Sequence, residues 1–127
     1  MTEKRITEAF SRGRIAYPRF EADAENESVA AINDFYRALR DAAATYMEDL
    51  AQSTEGKGRV YTADYTIRWE EDILLVEYVL QLRHRGRTEA RKTLTHRWQK
   101  GYLIPPGKKK GQKRPTRLKH RTKEDII

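Results

Sequence analysis

Between residues 28 and 51, apolar side chains recur every three or four positions, which places them on one side of an α-helix. The stripe consists of Val29, Ile32, Tyr36, Leu39, Ala43, Tyr46 and Leu50. Asn26 or Ser28 is positioned to cap the start of this helix, and the glycines of residues 54–58 end it. A helix of about 24 residues is roughly 36 Å long, enough to cross a small sheet.

After Gly58 the period changes to two, which is typical of half-buried strands. Three such segments follow, at residues 61–69, 73–83 and 88–99. One more precedes the helix at residues 14–20, where Pro18 restricts the strand to an edge or an end. The order β-α-β-β-β predicts an α+β domain, with one long helix packed on a four-stranded, mainly antiparallel sheet.

The apolar faces of neighbouring strands must match, and this requirement sets the length of each hairpin loop. The first loop must contain an even number of residues, either Glu71-Asp72 or residues 70–73. The second must contain an odd number, and Arg85-Gly86-Arg87 fits because its glycine is free to take positive φ. This register places Arg83 opposite Glu89, as a favourable cross-strand ion pair.

Charge divides the 127 residues into two parts. Residues 1–104 hold 17 Lys+Arg and 17 Asp+Glu, whereas residues 105–127 hold nine Lys+Arg and two acids. The second part lacks aromatic residues and has only three aliphatic ones, so it buries too little apolar surface to offset the entropy of ordering. We therefore predict a domain at 1–104 and a disordered basic tail at 105–127.

Such a tail binds polyanions by releasing their counterions. The polyanion-binding residues predicted from this charge are Lys108, Lys109, Lys110, Lys113, Arg114, Arg117, Lys119 and Arg121. If all nine cations engaged duplex DNA, the salt slope would be about −8, from about 0.9 per neutralised phosphate. Binding through the tail would be blind to sequence, because the tail has no aromatic ring to stack on bases. A solvated tail that only aids solubility is the alternative.

The sequence argues against an enzyme and predicts no metal or cofactor. Cysteine is absent, which excludes thiolate nucleophiles and Cys-based metal sites. In the predicted register, His84 and His96 lie about 27 Å apart at ~3.4 Å per residue, so they do not share an ion. His96 is instead expected to be half-covered between Val76 and Trp98. No nucleophile elbow, P-loop or dinucleotide fingerprint occurs.

A second candidate site lies on the outer face of the sheet. Its predicted partner-binding residues are Arg83, Arg91, Arg97, Leu75 and Val79. Arginines separated by apolar gaps suit an acidic partner, but Glu77 and Glu89 would equally make this an ordinary solvated face. The outer aliphatic residues need cover, which suggests self-association, a partner or the tail folding back.

Three short motifs resemble a family of bacterial extracytoplasmic domains. They are Ile15-Ala16-Tyr17-Pro18, a helix carrying Ala31-Ile32-Asn33, and a strand at Lys100-Gly101-Tyr102-Leu103-Ile104. The family includes the sensor region of the lysozyme-responsive anti-sigma factor and the accessory region of a peptidoglycan deacetylase. The resemblance spans residues 12–105 and implies a non-catalytic domain whose sheet recognises a protein or cell-wall ligand.

Neither a secretory signal nor an apolar run of the ~18 residues needed to cross a membrane is found in the sequence. We therefore expect a cytoplasmic protein without a membrane span, and we do not carry over lysozyme sensing. The preferred interpretation is a non-enzymatic module that binds a protein or cell-wall polymer through its sheet and carries a polycationic tail. The alternative is a nucleic-acid-associated protein that binds through the tail.

Overall fold

A computed structural model describes residues 1–105, which form one helix and a six-stranded sheet. The strands lie in the order β1-β2-β3-β4-β5-β6, and every neighbouring pair is antiparallel except β2 and β3. The elements are β1 (Thr2–Phe10), β2 (Gly13–Glu21), α1 (Ala30–Gln52), a 3-10 turn (Thr54–Gly56), β3 (Arg59–Glu70), β4 (Ile73–His84), β5 (Arg87–Gln99) and β6 (Tyr102–Ile104).

The α+β class with one long helix is confirmed, but the sheet has two strands more than the four predicted. The alternation of apolar residues does not predict β1, because Ile6 and Phe10 are its only large apolar residues. Its backbone pairs with β2 along its whole length, from Thr2 opposite Glu21 to Phe10 opposite Gly13. β6 has only three residues, too few to show a period.

Helix α1 buries the predicted stripe against one face of the sheet. Its buried residues are Ile32, Tyr36, Ala43, Ala44, Tyr46, Met47 and Leu50. The predicted caps are wrong, since Val29 is the N-cap and no side chain caps the helix. The chain before it turns around the Glu27 carboxylate, which accepts hydrogen bonds from the backbone N–H groups of Asp23 and Ala24 and from the N-terminal ammonium.

The first hairpin has one of the two predicted registers. Glu70 lies opposite Ile73, so Glu71-Asp72 is the loop. The pairing then continues without interruption to Arg59 opposite His84. The apolar residues of β3 and β4 therefore share the face that packs against α1.

The second hairpin differs from the prediction by one residue. His84 lies opposite Arg87, so the loop is Arg85-Gly86, with φ of +52° and +83°. Positive φ at both positions is the type I′ turn, whose twist matches that of the flanking strands. The register then shifts between Leu82 and Arg83, because Glu89 is an extra residue of β5.

This bulge restores the predicted register over the rest of the hairpin. Val76 lies opposite His96 and Leu74 opposite Trp98, as expected. The predicted pair of Arg83 with Glu89 is wrong, because Thr88 takes the place opposite Arg83. A bulge re-aims the side chains next to it.

β2 and β3 are parallel over only three pairs, from Gly13 opposite Tyr61 to Ile15 opposite Ala63. A Cβ atom at Gly13, which has φ of +145°, would lie 1.8 Å from the carbonyl oxygen of Tyr61. Only glycine permits this approach. Pro18 lies beyond the last of these pairs, as its missing N–H requires.

Where β2 and β3 diverge, side chains replace the backbone hydrogen bonds between the two strands. The Asn33 side chain, on α1, bonds both the N–H and the C=O of Phe20, at 2.8 and 2.9 Å. The Tyr78 hydroxyl donates to the carbonyl oxygen of Ala16 at 2.8 Å, and Arg5 donates to that of Tyr65 at 3.0 Å. The backbone groups of the separated strands thus remain hydrogen-bonded.

A buried tyrosine links the helix to β5. The Tyr36 hydroxyl lies 2.9 Å from Nδ1 of His96 and accepts a hydrogen bond from the indole N–H of Trp98, also at 2.9 Å. Burial raises the pKa of Tyr36, so its hydroxyl stays protonated, and it donates the hydrogen bond when neutral His96 carries its proton on Nε2. His96 is half-buried opposite Val76, as predicted, and burial lowers its pKa.

No helix of residues 1–105 is both long enough and apolar enough to cross a membrane.

We expect the free energy of unfolding to fall as the pH drops below about 6.5, the ordinary pKa of histidine. The unfolded chain binds a proton at His96 before the folded chain does, and that proton would displace the bond from Tyr36. Urea denaturation at pH 7.5 and 5.5 measures the loss. The variant His96→Asn keeps an acceptor but does not titrate, so its loss should be smaller. Equal losses in both proteins would contradict this role of His96.

Candidate partner-binding surface

The outer face of the sheet, away from α1, carries three of the predicted partner-binding arginines. On β5 the outward side chains are Arg91, Thr93, Thr95 and Arg97, and they lie opposite Gln81, Val79, Glu77 and Leu75 of β4. Arg91 and Arg97 are exposed and about 20 Å apart, at ~3.4 Å per residue. Arg83 lies opposite Val60 of β3 on the same face.

We call these three residues, together with Arg85 at the turn, the arginine surface. All four are exposed. Arg87 lies opposite His84, on the helix side, and is not part of this surface. Arg83 donates to the carbonyl oxygen of Gly86 at 2.8 Å, which holds its guanidinium beside the turn. The surface thus runs from the β4–β5 turn along most of β5.

The aliphatic residues predicted to accompany the arginines are less open than expected. Leu75 is only 2% exposed and lies between Arg68 of β3 and Arg97 of β5. Val79 and Ile73 are half-buried. A partner at this face therefore meets guanidinium and threonine side chains, and Leu75 supports them from beneath.

The bulge carries Glu89 away from Arg83. Arg59, at the start of β3, binds both carboxylate oxygens of Glu89, at 2.6 and 2.9 Å. Nδ1 of His84 lies 4.0 Å from the same carboxylate. The hydrogen bonds from Arg59 hold the pKa of Glu89 below its usual range. Glu89 is thus engaged on the helix side of the sheet and does not neutralise the outer arginines.

The acids that do face outward are also engaged elsewhere. Asp64 binds Arg5 and Arg14, each at 2.9 Å. Glu77 lies 3.8 Å from Arg68. The expectation that Glu89 neutralises this face is therefore wrong, because Glu89 binds Arg59 on the helix side. Glu77 does lie on the outer face, but beside Arg68 and not beside a member of the arginine surface.

Two sets of arginines among residues 1–105 differ in ion pairing. Arg5, Arg14, Arg40, Arg59 and Arg68 each lie within 4.0 Å of a carboxylate. No member of the arginine surface has a carboxylate partner among residues 1–105. Arg12, Arg19 and Arg37 lack such a partner as well, but the arginine surface is where unpaired arginines gather on one sheet face.

A cleft of about 540 Å³ lies on the other side of the sheet, between the end of α1 and the second hairpin. Tyr46, Leu50 and Leu82 form its apolar wall, and the Arg59–Glu89 pair lines it. Asp49 and Glu55 line the cleft as well, so its rim is mainly acidic and differs in charge from the outer face. The described part of the chain contains no cluster of three or more residues suited to holding a metal ion.

The predicted polyanion-binding residues lie outside the described residues. They are Lys108, Lys109, Lys110, Lys113, Arg114, Arg117, Lys119 and Arg121. The re-aimed Glu89 was missed by sequence reasoning. Reading Arg85-Gly86 as a two-residue turn would have revealed it, since such a turn requires an extra residue to keep the apolar faces aligned.

Comparisons of the chain with protein-family models, curated proteins and solved structures found no match. The resemblance of residues 12–105 to the extracytoplasmic domain family stays a prediction.

We expect the variant Arg59→Gln to raise the pKa of Glu89 toward the ordinary value of about 4.3. The charge-assisted hydrogen bonds that favour the ionised carboxylate are lost. Carboxyl-carbon NMR titration measures the change. The matched control Arg68→Gln removes an arginine that binds other acids, so it should leave Glu89 unchanged. An unaltered Glu89 titration in Arg59→Gln would show that the Glu89 carboxylate does not bind Arg59.

Proposed function

We propose that this chain is a non-enzymatic binding module whose arginine surface recognises an anionic macromolecular partner, a protein or a cell-wall polymer. One observation carries the proposal. Four exposed arginines of one surface have no carboxylate within 4.0 Å among residues 1–105, although acids of the same sheet bind other arginines.

The chemistry of arginine suits this role. Guanidinium is weakly hydrated and presents a planar fork of donors that matches carboxylate and phosphate groups. Charges at the rim of an interface raise the association rate and select the partner more than they add affinity. The proposed binding is therefore fast and sensitive to salt.

The resemblance to extracytoplasmic domains supports the same interpretation, because it implies ligand recognition through the sheet. A cell-wall polymer rich in phosphate or carboxylate has the required charge, as does an acidic protein segment. The compartment of the protein decides between these partners.

Binding of nucleic acid through residues 105–127 is the second candidate function. Nine Lys+Arg against two acids favour it. This binding would depend on the tail and not on the sheet. Substitutions in the two regions therefore separate the two functions.

We expect Arg91→Glu combined with Arg97→Glu to weaken binding of polyglutamate or a polyol-phosphate polymer by roughly tenfold at physiological salt, since two exposed attractions become repulsions. Fluorescence anisotropy measures the affinity. Arg37→Glu is the matched control, because Arg37 is exposed and has no carboxylate within 4.0 Å among residues 1–105, but lies on α1. Its effect should be clearly smaller.

Glutamate at Lys108, Lys109, Lys110, Lys113, Arg114 and Arg117 tests the alternative against duplex DNA. If only this tail variant loses binding to every polymer, the sheet is a scaffold and the arginine surface is not a binding site. If neither variant loses binding, both candidate functions are wrong.

A further inference from the structure

One edge of β5 is largely unpaired within residues 1–105. β6 covers β5 only from Arg97, opposite Ile104, to Gln99, opposite Tyr102. On that side, the regular part of β5 from Ala90 to His96 has no strand neighbour in the described chain. An open edge presents backbone N–H and C=O groups in a row and is a template for an added strand.

The turn between β5 and β6 shows which backbone groups point toward this edge. Lys100 and Gly101 form a two-residue turn with φ of +52° and +85°. The residues flanking such a turn, Gln99 and Tyr102, form a hydrogen-bonded pair, and bonding alternates along an antiparallel strand. The N–H groups of odd-numbered residues therefore face the edge, whereas those of even-numbered residues bond β4.

The side chains of the same odd-numbered residues lie on the outer face. Between Ala90 and His96 they are Arg91, Thr93 and Thr95. A strand added here would place every second side chain beside them, at intervals of about 6.8 Å. Arg91 begins that row, and Arg97 follows Thr95 at its other end, where β6 begins to cover β5.

Charge limits what the edge accepts. A second copy of this chain, paired edge to edge through β5, would place side by side two strands that each carry four basic residues and one acid, and like charges across strands are destabilising. The chain's own residues 105–127 carry nine Lys+Arg against two acids, so they are repelled as well. An acidic segment is attracted.

We propose that an extended acidic segment of a partner protein adds to β5 as a further strand, with alternate carboxylates directed at Arg91 and Arg97. Main-chain hydrogen bonds to Arg91, Thr93 and Thr95 supply affinity, and the arginines supply selection. This inference rests on the proposed function and specifies its partner.

The test uses the full chain and an octapeptide of alternating glutamate and threonine, which directs all its glutamates to one side when extended. Amide hydrogen exchange is followed by NMR. The peptide should slow exchange at Arg91, Thr93 and Thr95 at least tenfold. Lys92 and Leu94, whose N–H groups face β4, should change little. The tail also attracts this peptide, but its binding does not protect these amides.

Two control peptides examine the mechanism. Replacing the glutamates by lysine should abolish protection, because the charges then repel. Methylating alternate backbone nitrogens removes peptide donors and should also abolish it. Protection by the lysine peptide would overturn selection by charge.

Thr93→Pro removes one edge N–H without removing a bond to β4, and Thr93→Val keeps that N–H. Proline should weaken peptide binding at least tenfold, whereas valine should weaken it less than threefold. Far-UV circular dichroism checks folding. If the proline variant does not fold, the exchange measurement on the unmodified chain decides the question.

The outcomes separate this inference from the proposed function. Binding that is lost in the Arg91→Glu, Arg97→Glu variant without protection of the three amides would overturn strand addition and leave an anionic binding surface. Binding of a duplex DNA of twelve base pairs, but not of the peptide, would overturn the acidic-segment partner. No binding of peptide, polymer or DNA to the sheet would overturn both.

Discussion

The register between β4 and β5 is the constraint on which the rest of the sheet depends. Side chains alternate between the two faces of a strand, so a slip of one residue would exchange the core for the surface. A two-residue turn at Arg85-Gly86 closes the hairpin with favourable twist, and the extra residue Glu89 corrects the alignment that follows. Trp98 and His96 consequently face Tyr36 and the helix.

The extra residue Glu89 also determines how charge is distributed between the two faces of the sheet. Because Glu89 is not opposite Arg83, it binds Arg59 on the helix side and lines a cleft there. The outer face keeps its arginines without internal partners among the described residues. A local backbone irregularity thus couples packing to the proposed recognition of an anionic partner, with the folded core on one side of the sheet and unpaired charge on the other.

Strong periodicity made most of the fold predictable. The helix and the strands β3, β4 and β5 follow from apolar spacing, and matched faces predicted most of the registers, including His96 opposite Val76. β1 was not predictable in this way, because backbone pairing with β2 holds it in place while its side chains are mostly polar. Matching the apolar faces predicted a second loop of three residues, whereas the loop has two. The bulge supplies the missing residue within β5, and the apolar pattern does not reveal it. The arginines were predicted as a site, but their freedom from Glu77 and Glu89 depends on side-chain contacts that a sequence pattern does not contain.

A crystal structure of the full chain would test most directly whether the bulge separates Glu89 from the arginine surface. We expect the Glu89 carboxylate to lie within hydrogen-bond distance of the Arg59 guanidinium, with Thr88 opposite Arg83. An uninterrupted register that places Glu89 opposite Arg83 on the outer face would contradict this expectation. The arginine surface would then be neutralised by its own strand, and its proposed role in binding would lose its physical basis.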